Sequence, residues 1–239
     1  MAVPDEIQRV FDEWEARDRC AQAPVPWQRD RWIEKLPELT PLFEALPPEL
    51  DRGTVRAFVS SRPITPQGMF DAMIAVYAWG WSTTPVGVLR ARRVLLAGHE
   101  VVGGRLLAAR ARVLEAGALE GYWALARAHR VPGLGPAFGT KFLFFASADE
   151  RRALIFDKVV SDWLRERVGI RIPPARWVRT GYEHYLAFMQ SWADELNIDA
   201  HVLEELLFTD EASRRGLQGW AHTDSSTNRR NSGDVHSPE

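Results

Sequence analysis

Apolar residues recur along this chain at helical spacing and almost nowhere at the alternating spacing of a strand. Ile7, Val10, Phe11 and Trp14 predict an amphipathic helix over 5–20, ended by Pro24 and Pro26. A second stretch, 28–45, is cut by Pro37 and Pro41 into two short pieces. Pro47, Pro48 and Gly53 make a connection, and Thr65-Pro66 opens a helix whose stripe is Met69, Met73, Val76 and Tyr77. Further helices are predicted at 85–97, 100–116, 119–129, 136–146, 157–168, 175–197 and 199–208. No alternating run is bounded by turn residues, so the expected fold class is all-α. From about His222 the chain is rich in Ser, Thr, Asn and Asp and is expected to be disordered. The expected units are an N-terminal helical segment (1–60), a helical domain (61–221) and a tail (222–239).

Charge changes this picture more than composition does. The net charge of −2 is unremarkable, but residues 1–51 carry 12 acidic and 6 basic side chains, and residues 52–130 carry 4 acidic and 11 basic. A basic middle section, all of it arginine, has the character of a phosphate-contacting face, or of a merely solvated one. One cysteine, Cys20, precludes an intrachain disulfide, and no apolar run reaches membrane-spanning length. A cytoplasmic monomer with no membrane partner is therefore expected. The six histidines are scattered without zinc spacing, and Gly133-x-Gly135 lacks the third glycine and the preceding strand of a dinucleotide loop. No metal and no cofactor are expected.

Candidate chemistry concentrates in Val131-Pro132-Gly133-Leu134-Gly135-Pro136-Ala137-Phe138-Gly139-Thr140-Lys141. Three glycines and two prolines in nine residues make a tight turn, from which Pro136 starts an apolar helix. Lys141 lies within that helix, although only three of the 30 basic residues are lysines. A buried lysine needs a partner or a task, and an apolar setting favours the neutral, nucleophilic amine. The alternative is a lysine whose stem covers the core while its head reaches water. Asp157, sixteen residues on, precedes a helix and suits an N-cap.

This arrangement resembles the helix-hairpin-helix DNA glycosylases, the 8-oxoguanine DNA glycosylase branch above all. The resemblance implies a helix-hairpin-helix glycosylase-like fold for 61–221, with Lys141 as Schiff-base nucleophile and Asp157 as the assisting carboxylate. The Lys-to-Asp interval is a few residues shorter than is usual in that family. A rival register puts Pro132-Gly133-Leu134-Gly135 on the hairpin and Ala137 where lysine should stand. By the same resemblance, Gly133, Gly135, Gly139, Thr140 and Arg130 meet DNA at the hairpin. The loop after the helix that Thr65-Pro66 opens carries Trp81 and Ser82 to the duplex, with Trp81 as the wedge, although in a chain with ten tryptophans Trp79 and Trp81 read equally well as core packing residues. His184, Tyr185 and Gln190 of a late helix read the extruded base, although Tyr182, Tyr185, Met189 and Trp192 also form a plain core stripe. His129, beside Arg130, is either a phosphate contact or an ordinary helix C-terminal cation.

The expectation is a DNA N-glycosylase, with or without AP-lyase activity, acting on double-stranded DNA that carries a damaged or modified base. Its setting would be base-excision repair or defence against modified phage DNA. The alternatives are a non-catalytic helix-hairpin-helix DNA-binding module and a helical scaffold for another protein.

Overall fold

The computed structural model describes residues 2–82, 84, 86–147 and 152–217; the predicted tail lies outside them. Among the described residues there are twelve α-helices and one two-stranded sheet, an all-α fold. Helices α1 (Asp5–Glu15), α2 (Arg29–Lys35) and α3 (Thr40–Glu44) lead into α4 (Arg52–Ser60) and α5 (Pro66–Gly80). Then come α6 (Val86–Leu95), α7 (His99–Ala116), α8 (Ala118–Ala126) and α9 (Pro136–Ala146). The chain closes with α10 (Lys158–Arg167), α11 (Arg179–Leu196) and α12 (Ala200–Arg214).

Two of these helices form the centre. α5 is buried from Gly68 to Trp79 except at Asp71, and α9 is buried from Gly139 to Ala146. Helices apolar on every side have no face to give to water and become the core. The other elements cover them: α4, α6, α7 and α9 pack on α5, while α4, α7 and α8 pack on α9. α12 lies against α1, α10 and α11, so residues 1–60 share one hydrophobic core with the rest. Thr65 caps α5, its hydroxyl accepting from the Gly68 N–H at 3.2 Å.

Two features depart from the sequence reading. Val25 and Pro26 (β1) pair antiparallel with Glu49 and Leu50 (β2), and two residues a side are too short to show any alternation. Gly53, read as part of a connection, lies in the first turn of helix α4. The signal for this helix was present: Asp51 accepts from the Thr54 N–H at 2.6 Å, the Asp51 N–H donates back to Thr54 Oγ1, and Val55, Phe58 and Val59 follow at helical spacing.

Candidate active site

The glycine turn joins α8 to α9. Gly133 adopts φ +78, a left-handed conformation that a side chain would strain, and the Leu134 N–H donates to the Val131 carbonyl at 3.2 Å to close the turn. Gly133, Gly135 and Arg130 are exposed, and Arg105 donates to the Arg130 carbonyl. Arg93 of α6 stands beside Gly133. Gly139 and Thr140 face inward. A Cβ on Gly139 would come within 2.4 Å of the Trp177 ring ahead of α11, so glycine there lets the indole lie directly on α9. Thr140, expected to meet DNA, is wholly buried. Its hydroxyl donates to the Ala137 carbonyl at 3.1 Å and accepts from the Phe156 N–H at 3.0 Å, tying α9 to the strand of chain that leads to Asp157.

Lys141 is 6 % exposed, and its Nζ is in direct contact with Asp157 Oδ2. The other carboxylate oxygen caps α10, accepting from the Val159 N–H at 3.0 Å and the Val160 N–H at 3.2 Å. One carboxylate thus serves the helix with one oxygen and the amine with the other. Burial pushes the Asp157 carboxyl up, but the charge of Lys141 and the hydrogen bonds from Lys141, Val160 and Val159 outweigh it, leaving the group below its ordinary value. The segment ahead of Asp157 is fixed from α11: Tyr182 donates to the Leu154 carbonyl at 2.8 Å and Tyr185 to the Ile155 carbonyl at 2.7 Å.

Aromatic rings enclose the amine. Lys141 Nζ lies 5.7 Å from the centre of Phe138 and 6.0 Å from that of Trp79. Phe138 is itself stacked between Tyr77, at 4.7 Å, and Trp81, at 5.2 Å, and the Arg90 guanidinium covers the Trp81 ring. Trp81 is therefore half-buried in a stack instead of projecting as a wedge, and Ser82 is buried with no hydrogen-bond partner for its hydroxyl among the described residues. Beyond them α6 exposes Leu89 (63 %) together with Arg90, Arg92 and Arg93.

The three expected base readers do not converge. Tyr185 is fully buried and spent on the Ile155 carbonyl, so the core stripe is what α11 forms through Tyr182, Tyr185, Met189 and Trp192. His184 and Gln190 are exposed. Gln190 donates to Asp194 at 2.7 Å and lines a cleft whose lining holds neither Lys141 nor Asp157. Two charged residues at the centre went unread: Arg52 of α4 and Glu204 of α12, which pair with each other in the core. The capping box of α4 was the available signal for the first; a glutamate inside a helix gives none for the second.

His201 of α12 sits near this centre, its pKa pushed down to about 4 by burial first and then by Arg152. A histidine neutral in the folded chain but protonated when unfolded makes stability fall as pH drops from about 6.5 to about 4, by ~2–3 kcal/mol. Thermal unfolding at pH 5 and 7 is expected to show this loss, and His201→Gln should flatten it.

The geometry defines an all-helical protein that encloses an amine and a carboxylate in contact inside an aromatic cage. A match to the family described as "Putative 8-oxoguanine DNA glycosylase OGG-like protein" spans residues 18–208, and the chain belongs to that family. Membership assigns a DNA glycosylase type of activity, with DNA as substrate, at the level of the family. No curated protein and no solved structure matches the chain. No described helix is long and apolar enough to cross a membrane, and the described residues hold no group of three or more His, Cys, Asp or Glu suited to a metal ion.

Proposed function

We propose that this chain is a helix-hairpin-helix DNA glycosylase that excises a damaged or modified base through covalent catalysis by Lys141, with Asp157 moving the proton. The observation that carries the reading is the direct contact of Lys141 Nζ, from within α9, with Oδ2 of Asp157, the N-cap of α10. Attack requires the lone pair of the amine, so a proton must leave Nζ, and the Asp157 oxygen in contact is placed to take it. The nitrogen then bonds to the anomeric carbon as the glycosidic bond breaks, and the base departs with the bonding pair and acquires a proton. Opening of the sugar ring yields an imine on Lys141, from which β-elimination would break the 3′ C–O bond.

Binding follows from the surface around the turn. The backbone amides at Gly133 and Gly135, with Arg130 and the arginines of α6, suit the phosphates of a duplex. Leu89, apolar and exposed among those arginines, fits the gap left by an extruded nucleotide better than the stacked Trp81 does. The Phe138–Trp81 stack covers Lys141, so it must part for a sugar to reach the amine. Arg90→Ala and Arg93→Ala are each expected to weaken duplex binding and to lower the slope of log affinity against log salt by about 0.9. Fluorescence anisotropy over a salt series measures both. The excised base is either an oxidised purine or a modification found in phage DNA, and the role repair or defence accordingly.

The test is borohydride trapping on duplex DNA containing an abasic site. A covalent complex on a denaturing gel supports the reading. Intact duplex binding with no complex leaves water as the nucleophile or a DNA-binding module without chemistry. The second of these is the alternative reading, and release of a modified base separates the two.

A further inference from the structure

Two charged side chains that the proposed chemistry leaves unused lie behind the Lys141–Asp157 pair. Arg52, the first residue of α4, gives both terminal nitrogens to Glu204 of α12, at 2.6 Å and 3.1 Å. Its Nε stands 3.5 Å from Glu205. The Glu204 side chain is wholly buried and that of Arg52 is 10 % exposed. A buried ion pair is often no more stabilising than apolar residues of the same volume, so its place beside a reactive amine calls for a further reason. Trp79 provides the link. The Arg52 guanidinium lies 5.8 Å from the centre of its ring, and Lys141 Nζ lies 6.0 Å from the same centre. The charges act on one another as well: Asp157 on both Arg52 and Glu204, and Lys141 on Glu204.

Resting on the reading of Lys141 as nucleophile, we propose that Arg52 and Glu204 are positioning residues that set the electrostatic balance of the Lys141–Asp157 pair across Trp79. With all four ionised the cluster is neutral, two cations against two anions. Removing one member of the rear pair leaves its partner uncompensated in a low-dielectric core, and the forward pair must respond. The other groups facing the cluster are Glu205 on Arg52, Arg56 and Arg152 over the Phe144 ring, His201, and the hydroxyls of Tyr182 and Tyr185. Arg56, Arg152, His201 and both tyrosines are unchanged in every variant below.

The chain has only three lysines, so protein made with lysine isotope-labelled at Nζ gives few side-chain signals, and Lys141→Gln identifies the one of interest. Glu204→Gln leaves the guanidinium opposed only by Glu205, and the Lys141 Nζ signal, read at one fixed pH, is expected to shift from its position in the native protein. Arg52→Gln leaves an unopposed carboxylate, and the same signal is expected to shift in the opposite direction. Glu205→Gln keeps the two-bond Arg52–Glu204 pair and is expected to shift the signal in the Glu204→Gln direction by less. A signal unmoved in the variants that fold, Glu205→Gln included, overturns the proposal, as do shifts of one sign in Glu204→Gln and Arg52→Gln. The measurement uses protein without DNA. Shifts as expected alongside failed borohydride trapping would therefore refute Lys141 as the nucleophile while leaving the coupling in place.

Discussion

Lys141→Gln is expected to abolish the borohydride-trapped complex, lowering its rate of formation by about 10³-fold or more, while duplex affinity stays within about threefold. The amine is the only group in the proposed chemistry that forms a bond to the sugar, so nothing else in the site replaces it. Affinity survives because the surfaces assigned to phosphate, the glycine turn and α6, are separate from the buried amine. Folding responds more mildly. Asp157 loses its cation but keeps the hydrogen bonds from Val159 and Val160, and the new amide can donate to Oδ2. A loss of about 1–3 kcal/mol in denaturant unfolding is expected. Lys141→Arg sharpens the comparison, since a guanidinium keeps the charge beside Asp157 but does not give up a proton. It should recover more of the stability and none of the trapping. Trapping in either variant would show that another amine reacts.

Asp157→Ala is the most destabilising change expected in the site. It strands a buried ammonium, which costs about 3–5 kcal/mol, and strips α10 of its cap, which adds ~1 kcal/mol. Asp157→Asn separates these effects, because an amide oxygen still caps the helix while the negative charge is lost. The asparagine variant should therefore be the more stable of the two, with trapping slowed in both. The acid side of the stability profile provides a second reading. The folded Asp157 carboxyl is held below its ordinary value, so its contribution is complete above the usual carboxylate range and is lost as pH falls through the depressed pKa. Native protein should accordingly lose more stability on acidification to pH 3 than Asp157→Asn does. Equal losses would mean that the contact with Lys141 is not an ion pair.

The sequence was informative where periodicity and side-chain chemistry coincide. The helical spacing of Ile7, Val10, Phe11 and Trp14 corresponds to the buried face of α1, and the nearly uninterrupted apolar runs of α5 and α9 mark the two central helices. Lys141 stood out because a lysine-poor chain placed one inside such a run. It was harder to foresee which polar residues turn inward. Thr140 and Ser82 are buried by helix crossing and loop closure, properties of three-dimensional packing that a one-dimensional pattern does not encode. For Trp81 the sequence left wedge and core packing side by side, because its stacking on Phe138 depends on a residue 57 positions away. Arg52 and Glu204 illustrate the limit most clearly. Each is ordinary in its own segment, and only the approach of α4 to α12 makes them a pair.

That approach has a consequence for synthesis. Arg52 emerges from the ribosome long before Glu204, 152 positions further on, and Lys141 emerges before both Asp157 and Glu204. A nascent chain that has reached α10 but not α12 pairs Lys141 with Asp157 yet carries Arg52 beside Trp79 without Glu204. The core around Trp79 cannot close on a bare guanidinium, so it stays open until α12 arrives. Ribosome-stalled chains ending at residue 195 are thus expected to be cut readily by protease, and chains stalled far enough past 214 to free α12 to resist it. The charged interior is completed only once α12 has left the ribosome.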